Sequence, residues 1–374
     1  MANIEKRDLR KKTRLLPNEL IEEILLRLPV KSIKRFQSVC PAWKTLILNP
    51  IFVKSYGERR KDLKKFMIHS NGYHVKYSCS LNCGEVVLEK DVQKFKHGLT
   101  NILSSCDGLI LTGSVQTNPF RLCIWNPSTR EIKELPVNKD ISSSVSEYSY
   151  GFGSATSSGY TVLVIDGTRY GGNVVTLSKV VLYNTSTNSW RRMKGIPYTP
   201  SAGRGLLTLV KAKLYFYAEY LNSKRKKRVL LGFDIENEEF MEVLEPDYDG
   251  CSTIAELSGD LCIVSHNDDT RKSYVWVRKE DGTKESWANM FCIDLQTLED
   301  ITYLATCFHF QALLHYDEGK ILLRASFNNV RQLDTVLFGY DCTSHRAKLY
   351  KLDGVCGYYS TTTYVETLIS PNAL

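Results

Sequence analysis

With 374 residues, 43% of them apolar and 24% charged, the chain has room for a small module and one large domain of ordinary globular composition. No run approaches the roughly 18 apolar residues that span a bilayer, and the charged N-terminus carries no secretory signal, so no membrane partner is expected and the compartment is cytoplasm and/or nucleus. The net charge of +8 lies entirely in residues 1–60, which hold 14 Lys/Arg against 6 Asp/Glu. The other 314 residues hold 35 of each, so the large domain has no basic excess with which to grip nucleic acid.

Residues 1–13 read as a basic, flexible leader, with Lys6, Arg7, Arg10, Lys11 and Lys12 (Arg14 follows) solvated or acting as an import signal. Residues 14–57 form the small module. Leu16, Leu20, Ile24 and Leu28 recur every four residues, and Ile21 and Leu25 make a second row beside them, which predicts an amphipathic helix. Pro17 suits its start, Glu19 the positive end of its dipole, and Pro29 stops it. Val30, Ile33, Phe36 and Val39 predict a second helix. Pro41 opens a third, with Trp43, Leu46 and Ile47 as its stripe. Three short helices bury too little surface to stand alone. Part of this apolar surface is therefore expected to wait for a partner.

The order L-P-N-E-L-I-E-E-I-L-L-R-L-P-V-K-S-I-K-R-F-Q-S-V-C-P-A-W-K-T-L-I over residues 16–47 resembles the F-box at nearly every fixed position of that pattern. Pro41 stands where a basic residue is common and Gln37 where Arg is frequent, neither on an apolar stripe. The resemblance implies docking onto the Skp-type adaptor of a cullin ubiquitin ligase. The residues implied in that contact are Leu16, Pro17, Leu20, Ile24, Leu28, Pro29, Val30, Lys31, Ser32, Ile33, Phe36, Val39, Cys40, Trp43, Leu46 and Ile47.

From residue 60 to 374 helical periodicity gives way to short segments rich in Val, Leu, Ile, Tyr and Phe, broken by Gly, Asn, Asp and Ser. A unit recurs: an apolar strand ending in Asn or Asp, a polar turn, then a second strand. Its polar residues are Asn126, Asn184, Asp234, Asp294 and Asp341, about 54 residues apart. Such a side chain can bond the backbone two residues on and close a hairpin. Another hairpin precedes each unit, as in S-S-C-D-G-L-I-L. Two hairpins make a four-stranded sheet, and such sheets at this period predict an all-β propeller of about six blades. The sixth blade is expected to join strands from both ends of the domain, F-M-I-H-S-N-G-Y-H-V-K-Y-S and E-V-V-L-E at the front and C-G-Y-Y-S-T-T-T-Y-V-E-T-L-I at the back. A two-sheet sandwich is the rival fold.

This region also resembles the F-box-associated domain, of the kelch-like kind, in plant F-box proteins. The matching segments are S-C-D-G-L at 105–109, W-N-P-S-T-R at 125–130, Y-G-F-G at 150–153, F-D-I-E-N-E-E-F at 233–240, S-G-D-L-C-I-V at 258–264, the K-E-x-G-T-K-E-S-W run at 279–287 and Y-V-E-T-L-I-S-P at 364–371.

No catalytic motif emerges, and no cofactor or metal is expected. Gly151 and Gly153 lack the third glycine of a phosphate loop and fit a tight inter-strand turn. His309 and His315 read as structural, and the eleven cysteines as buried thiols. The run Lys224, Arg225, Lys226, Lys227, Arg228 joins two apolar strands, as a solvated hairpin tip, an import signal or a contact with an acidic target. The expected function is that of a non-catalytic substrate receptor, holding an unknown target protein while the adaptor brings in the cullin. The alternatives are a propeller enzyme acting on a small molecule and an F-box protein working outside a ligase.

Overall fold

The computed structural model describes the chain except residues 1–15 and the segments 71–74, 83–84, 92–98, 115–119, 142–147, 156–158, 167–176, 202–206, 222–227, 268, 281–284, 295–306, 317–318, 330–331, 351 and 353–358. The basic leader and Lys224 to Lys227 thus lie outside the described residues, as do the side chains of His309 and His315.

Four short helices come first: α1 (Asn18–Arg27), α2 (Val30–Phe36), α3 (Pro41–Leu48) and α4 (Pro50–Glu58). The fourth was not foreseen, and its start is a local device. Asn49 accepts a hydrogen bond from the Ile51 amide (2.8 Å) ahead of Pro50, which occupies the first helical turn. α4 supplies Phe52 and Tyr56, both fully buried, to a core built with Leu25, Leu26, Val30, Ile33 and Ile47. Arg60 closes the unit. Its guanidinium lies 3.9 Å from the Tyr56 ring and donates to the carbonyls of Leu26 (2.8 Å) and Leu28 (2.7 Å) at the negative end of α1.

Six sheets follow and form a closed propeller. The first blade orders β25 (Tyr359–Tyr364), β1 (Lys65–Ser70), β2 (Val75–Asn82) and β3 (Glu85–Asp91), so both ends of the domain build it, as expected. β25 pairs with β1 from Lys65 opposite Tyr364 to Ser70 opposite Tyr359, which removes both exposed edges. The second blade holds β4 (Leu99–Cys106), β5 (Leu109–Ser114), β6 (Leu122–Asn126) and β7 (Glu131–Glu134). The third holds β8 (Tyr148–Ala155), β9 (Gly159–Asp166), β10 (Val180–Asn184) and β11 (Ser189–Arg192). In the fourth, β12 (Tyr198–Pro200) and β13 (Thr208–Val210) share the innermost position beside β14 (Lys213–Tyr220), followed by β15 (Arg228–Asp234) and β16 (Glu239–Val243). The fifth comprises β17 (Cys251–Leu257), β18 (Asp260–Asn267), β19 (Lys272–Glu280) and β20 (Glu285–Asp294). The sixth comprises β21 (Cys307–Tyr316), β22 (Lys320–Asn329), β23 (Gln332–Asp341) and β24 (Arg346–Tyr350).

Blades stack face to face, so the middle strands are buried on both sides. β5 and β6 are buried at every residue, without in–out alternation. Among the described residues six apolar clusters fill the six blade–blade interfaces. Met67, Ile102, Ile110, Trp125 and Tyr364, for example, join the first blade to the second. Of the described cysteines, Cys79, Cys106, Cys123 and Cys262 are buried as free thiols, and burial pushes the Cys262 thiol up to about 12, whereas Cys40, Cys251, Cys292 and Cys342 are only half-buried, which corrects the expectation of a wholly buried set.

The hairpin chemistry expected of the repeat is present in four blades. The Oδ1 atoms of Asn126, Asn184, Asp234 and Asp341 accept from the amide two residues on, at 2.8, 2.8, 2.9 and 2.8 Å. Four residues after each comes a left-handed residue: Arg130, Asn188, Glu238 and His345. Asp294 is a correction, because it ends the fourth strand of its blade and not the third, which ends at Glu280. F-C-I-D imitates the apolar-strand-plus-Asp signal one strand out of step. Gly151 and Gly153 are a second correction. They lie within β8, not in a turn, and a Cβ on Gly151 would come within 2.6 Å of Leu214 in the next blade. At both glycines the side chains of the next blade, Leu214 and Leu207 at Gly151 and Ile235 and Leu209 at Gly153, fill the space a Cβ would take.

Candidate functional site

On α1 the two sequence rows separate. Leu20 and Ile24, one turn apart on the same side of the helix, are 51% and 50% exposed, and Leu16 just before the helix is 55% exposed. Ile21 and Leu28 are half-buried against the helical core and Leu25 is inside it. A helix of this length with three large aliphatic side chains in water presents a surface suited to a partner. Val39 adds a fourth. It lies after the end of α2, since that helix stops at Phe36.

The other residues implied in docking divide by burial. Pro17, Pro29 and Lys31 are exposed, while Ser32, Phe36, Cys40, Trp43 and Leu46 are half-buried. Phe36 and Trp43 meet edge to face with centroids 5.4 Å apart. Val30, Ile33 and Ile47 sit inside the core at 2%, 0% and 1% exposure and offer nothing to a partner directly. Periodicity could not tell these inward residues from the outward ones, because both rows are apolar. Exposed Leu48 and Ile51 were missed, lying at the α3–α4 junction beyond the F-box-like pattern read from the sequence.

The helices are fastened to the propeller by the segment after β25. Leu368 is buried among the helical core residues. Asn126, itself fully buried at the first-seen repeat turn, donates from Nδ2 to the carbonyls of Thr367 (3.1 Å) and Ile369 (2.7 Å). Gly108 has φ +79°, and any Cβ there would collide with the Val365 carbonyl, so both the turn and the strap require glycine in S-C-D-G-L. Lys34 of α2 reaches Glu131 at 2.6 Å, and Ser370 donates to the same carboxylate. Lys65 pairs with Glu366 (2.7 Å) and Lys64 with Glu256 (2.6 Å).

Burial opposes ionisation of Glu131, but the hydrogen bonds from Lys34 and Ser370 outweigh it and hold its carboxyl below the ordinary range. A depressed carboxylate adds stability above its unfolded pKa and loses it as pH falls through the folded value. The helix–propeller contact is therefore expected to weaken below about pH 4. Glu131→Gln should flatten that part of the acid limb in a melting series. An acid limb identical to the native one would dissociate Glu131 from the effect.

Antiparallel order places the hairpins between first and second strands, and between third and fourth, on one face. The helices sit on that face, at Glu131 and Glu256. The end of β14 at Tyr220 and the start of β15 at Arg228, second and third strands of their blade, lie toward the opposite face. Arg228 is held in place. Its guanidinium lies 3.9 Å from the Tyr217 ring and donates to Tyr248 (3.1 Å) and Ser252, with Glu245 at 4.0 Å.

Comparison with known proteins agrees with this division. Residues 14–55 match the F-box domain, and residues 62–371 match the F-box associated beta propeller domain. The chain belongs to the F-box proteins with an associated β-propeller. F-box/kelch-repeat protein At3g23880 of Arabidopsis thaliana is 27% identical, with 96% of each chain covered. F-box protein CPR1 from the same plant is 25% identical over 95% of this chain and 88% of its own. Putative F-box/kelch-repeat protein At3g17540, also from Arabidopsis thaliana, is 28% identical over 82% and 79%. Among the described residues of this F-box protein, no three His, Cys, Asp or Glu side chains converge as metal ligands. No helix among them is long and apolar enough to cross a membrane.

Proposed function

We propose that this chain is a substrate receptor of a Skp–cullin–F-box ubiquitin ligase, of the plant kind, working in the cytoplasm and/or nucleus. The outward row of α1, Leu16, Leu20 and Ile24, is the anchor for a Skp-type adaptor, and the adaptor brings in the cullin. Val30, Ile33 and Ile47 serve the contact from within, by holding α1, α2 and α3 together. A target protein then docks on the propeller face away from the helices, and the chain contributes proximity, not a reacting group. The exposed aliphatic row carries this reading, because the same helix turns Leu25 into the core and half-buries Ile21 while leaving this row in water.

Leu20→Ala with Ile24→Ala is expected to weaken adaptor co-purification about a hundredfold, because interfaces depend on a few central anchors. The propeller should melt as before, since neither side chain is in a core. Leu16→Ala with Pro17→Ala should act likewise. Undiminished adaptor binding by both double variants would refute the assignment. Adaptor without cullin in the purified complex would favour a role outside a ligase.

A further inference from the structure

The strap after β25 serves two cores. Leu368 is 8% exposed and lies in the helical core with Leu25, Val30, Ile33 and Tyr56. Ile369, the next residue, packs on the core between the second and third blades. The backbone around both is held by the second blade. Asn126 Nδ2 donates to the carbonyls of Thr367 and Ile369, one on each side of Leu368, and Lys133 donates to the Leu374 carbonyl at 2.6 Å. Leu368 thus reaches the helices from a mount that the propeller fixes.

That mount bears on the outward row of α1. The helical unit from Asn18 to Glu58 is too small to hold its shape on its own core. Tyr56 ties α4 to the end of α1 by donating to the Leu28 carbonyl (2.8 Å), and Tyr56 shares its cluster with Leu368. Truncating Leu368 opens a cavity behind the helix that carries Leu20 and Ile24, while both of those side chains stay outside the core.

We propose that Leu368 is a positioning residue for the docking of a Skp-type adaptor, coupling the grip of α1 to the seating of the strap on the propeller. The coupling presupposes the receptor role proposed above. It is reciprocal: the factor by which a seated strap raises adaptor affinity is the factor by which a bound adaptor favours the seated strap. Because the strap continues from β25, an adaptor on the helices is felt next to the strand that closes the ring.

Titration calorimetry of the full chain with a purified plant Skp-type adaptor tests this, together with hydrogen exchange of the strap with and without adaptor. Leu368→Ala is expected to weaken adaptor binding about tenfold, within the usual range of coupling between sites. Leu368→Met, which conserves volume, should restore it. Leu231→Ala is the control, since it removes a fully buried leucine from the core between the third and fourth blades. It should lower the melting temperature and leave adaptor affinity at the native value. In the native chain the adaptor should slow exchange in the strap about tenfold, including the Ile369 amide, which donates to Thr367 Oγ1 at 3.2 Å. In Leu368→Ala that slowing should be lost. A native chain that binds no adaptor would overturn the receptor role and the coupling with it. A native chain that binds, with equal affinity in Leu368→Ala, an equal loss in Leu231→Ala, or strap exchange indifferent to adaptor, would overturn the coupling alone.

Discussion

Removing residues 355–374 is expected to abolish cooperative unfolding of the whole chain, helices included. The deletion takes away β25, which supplies six register pairs to β1, and with it the only partner that β1 has on the side facing the axis. β1 then becomes a bare inner edge in a ring with no other opening. It also removes Tyr364 from the cluster between the first and second blades and Leu368 from the helical core. Losing two large buried side chains costs about 2–5 kcal/mol apiece, against a total stability of about 5–15 kcal/mol for a domain. Calorimetry of the truncated chain decides the matter. A single cooperative transition at the native midpoint would refute the closed ring.

The second large effect comes from one atom. Asn126→Asp keeps the turn acceptor, since Asp234 and Asp341 perform the same turn with a carboxylate. What it loses is Nδ2, which donates to the Thr367 and Ile369 carbonyls. In its place a buried carboxylate oxygen would face two carbonyl oxygens. The expected cost is about 3–5 kcal/mol, the size of breaking a buried charged contact by removing one side of it. Asp341→Asn is the control. Its side chain accepts from the amides of Thr343 and Ser344, acceptor contacts that an asparagine Oδ1 also makes at Asn126 and Asn184, so the exchange should stay within about 0.5 kcal/mol. Equal melting points for the two variants would show that the strap does not depend on Asn126.

What was legible in the sequence was local. The α1 rows differ by residues one turn apart, and the repeat turns are set by side chains bonding two residues on, so both leave short-range marks. Closure by both chain ends was readable because five visible units at one period left a sixth incomplete. What escaped the reading is long-range. Asn126 and Ile369 are 243 positions apart, and nothing near either one announces the contact. Leu368 reads as part of a strand-like closing run, yet it fills a helical core. Asp294 misled because an apolar run ending in Asp looks the same in the third and fourth strands of a blade. Arg228 ends a basic run in the sequence, and nothing near it there announces its contacts with Tyr217, Tyr248 and Ser252.

Leu368 has a consequence for synthesis. The helices from Asn18 to Glu58 leave the ribosome long before Leu368 is made, so their core lacks one of its buried members until the propeller has been translated around to its starting point. A chain arrested part-way offers the outward row of α1 on an unfinished support. A chain whose blades fail to close offers the same. The helical core is thereby completed only after the strand that closes the ring has been made.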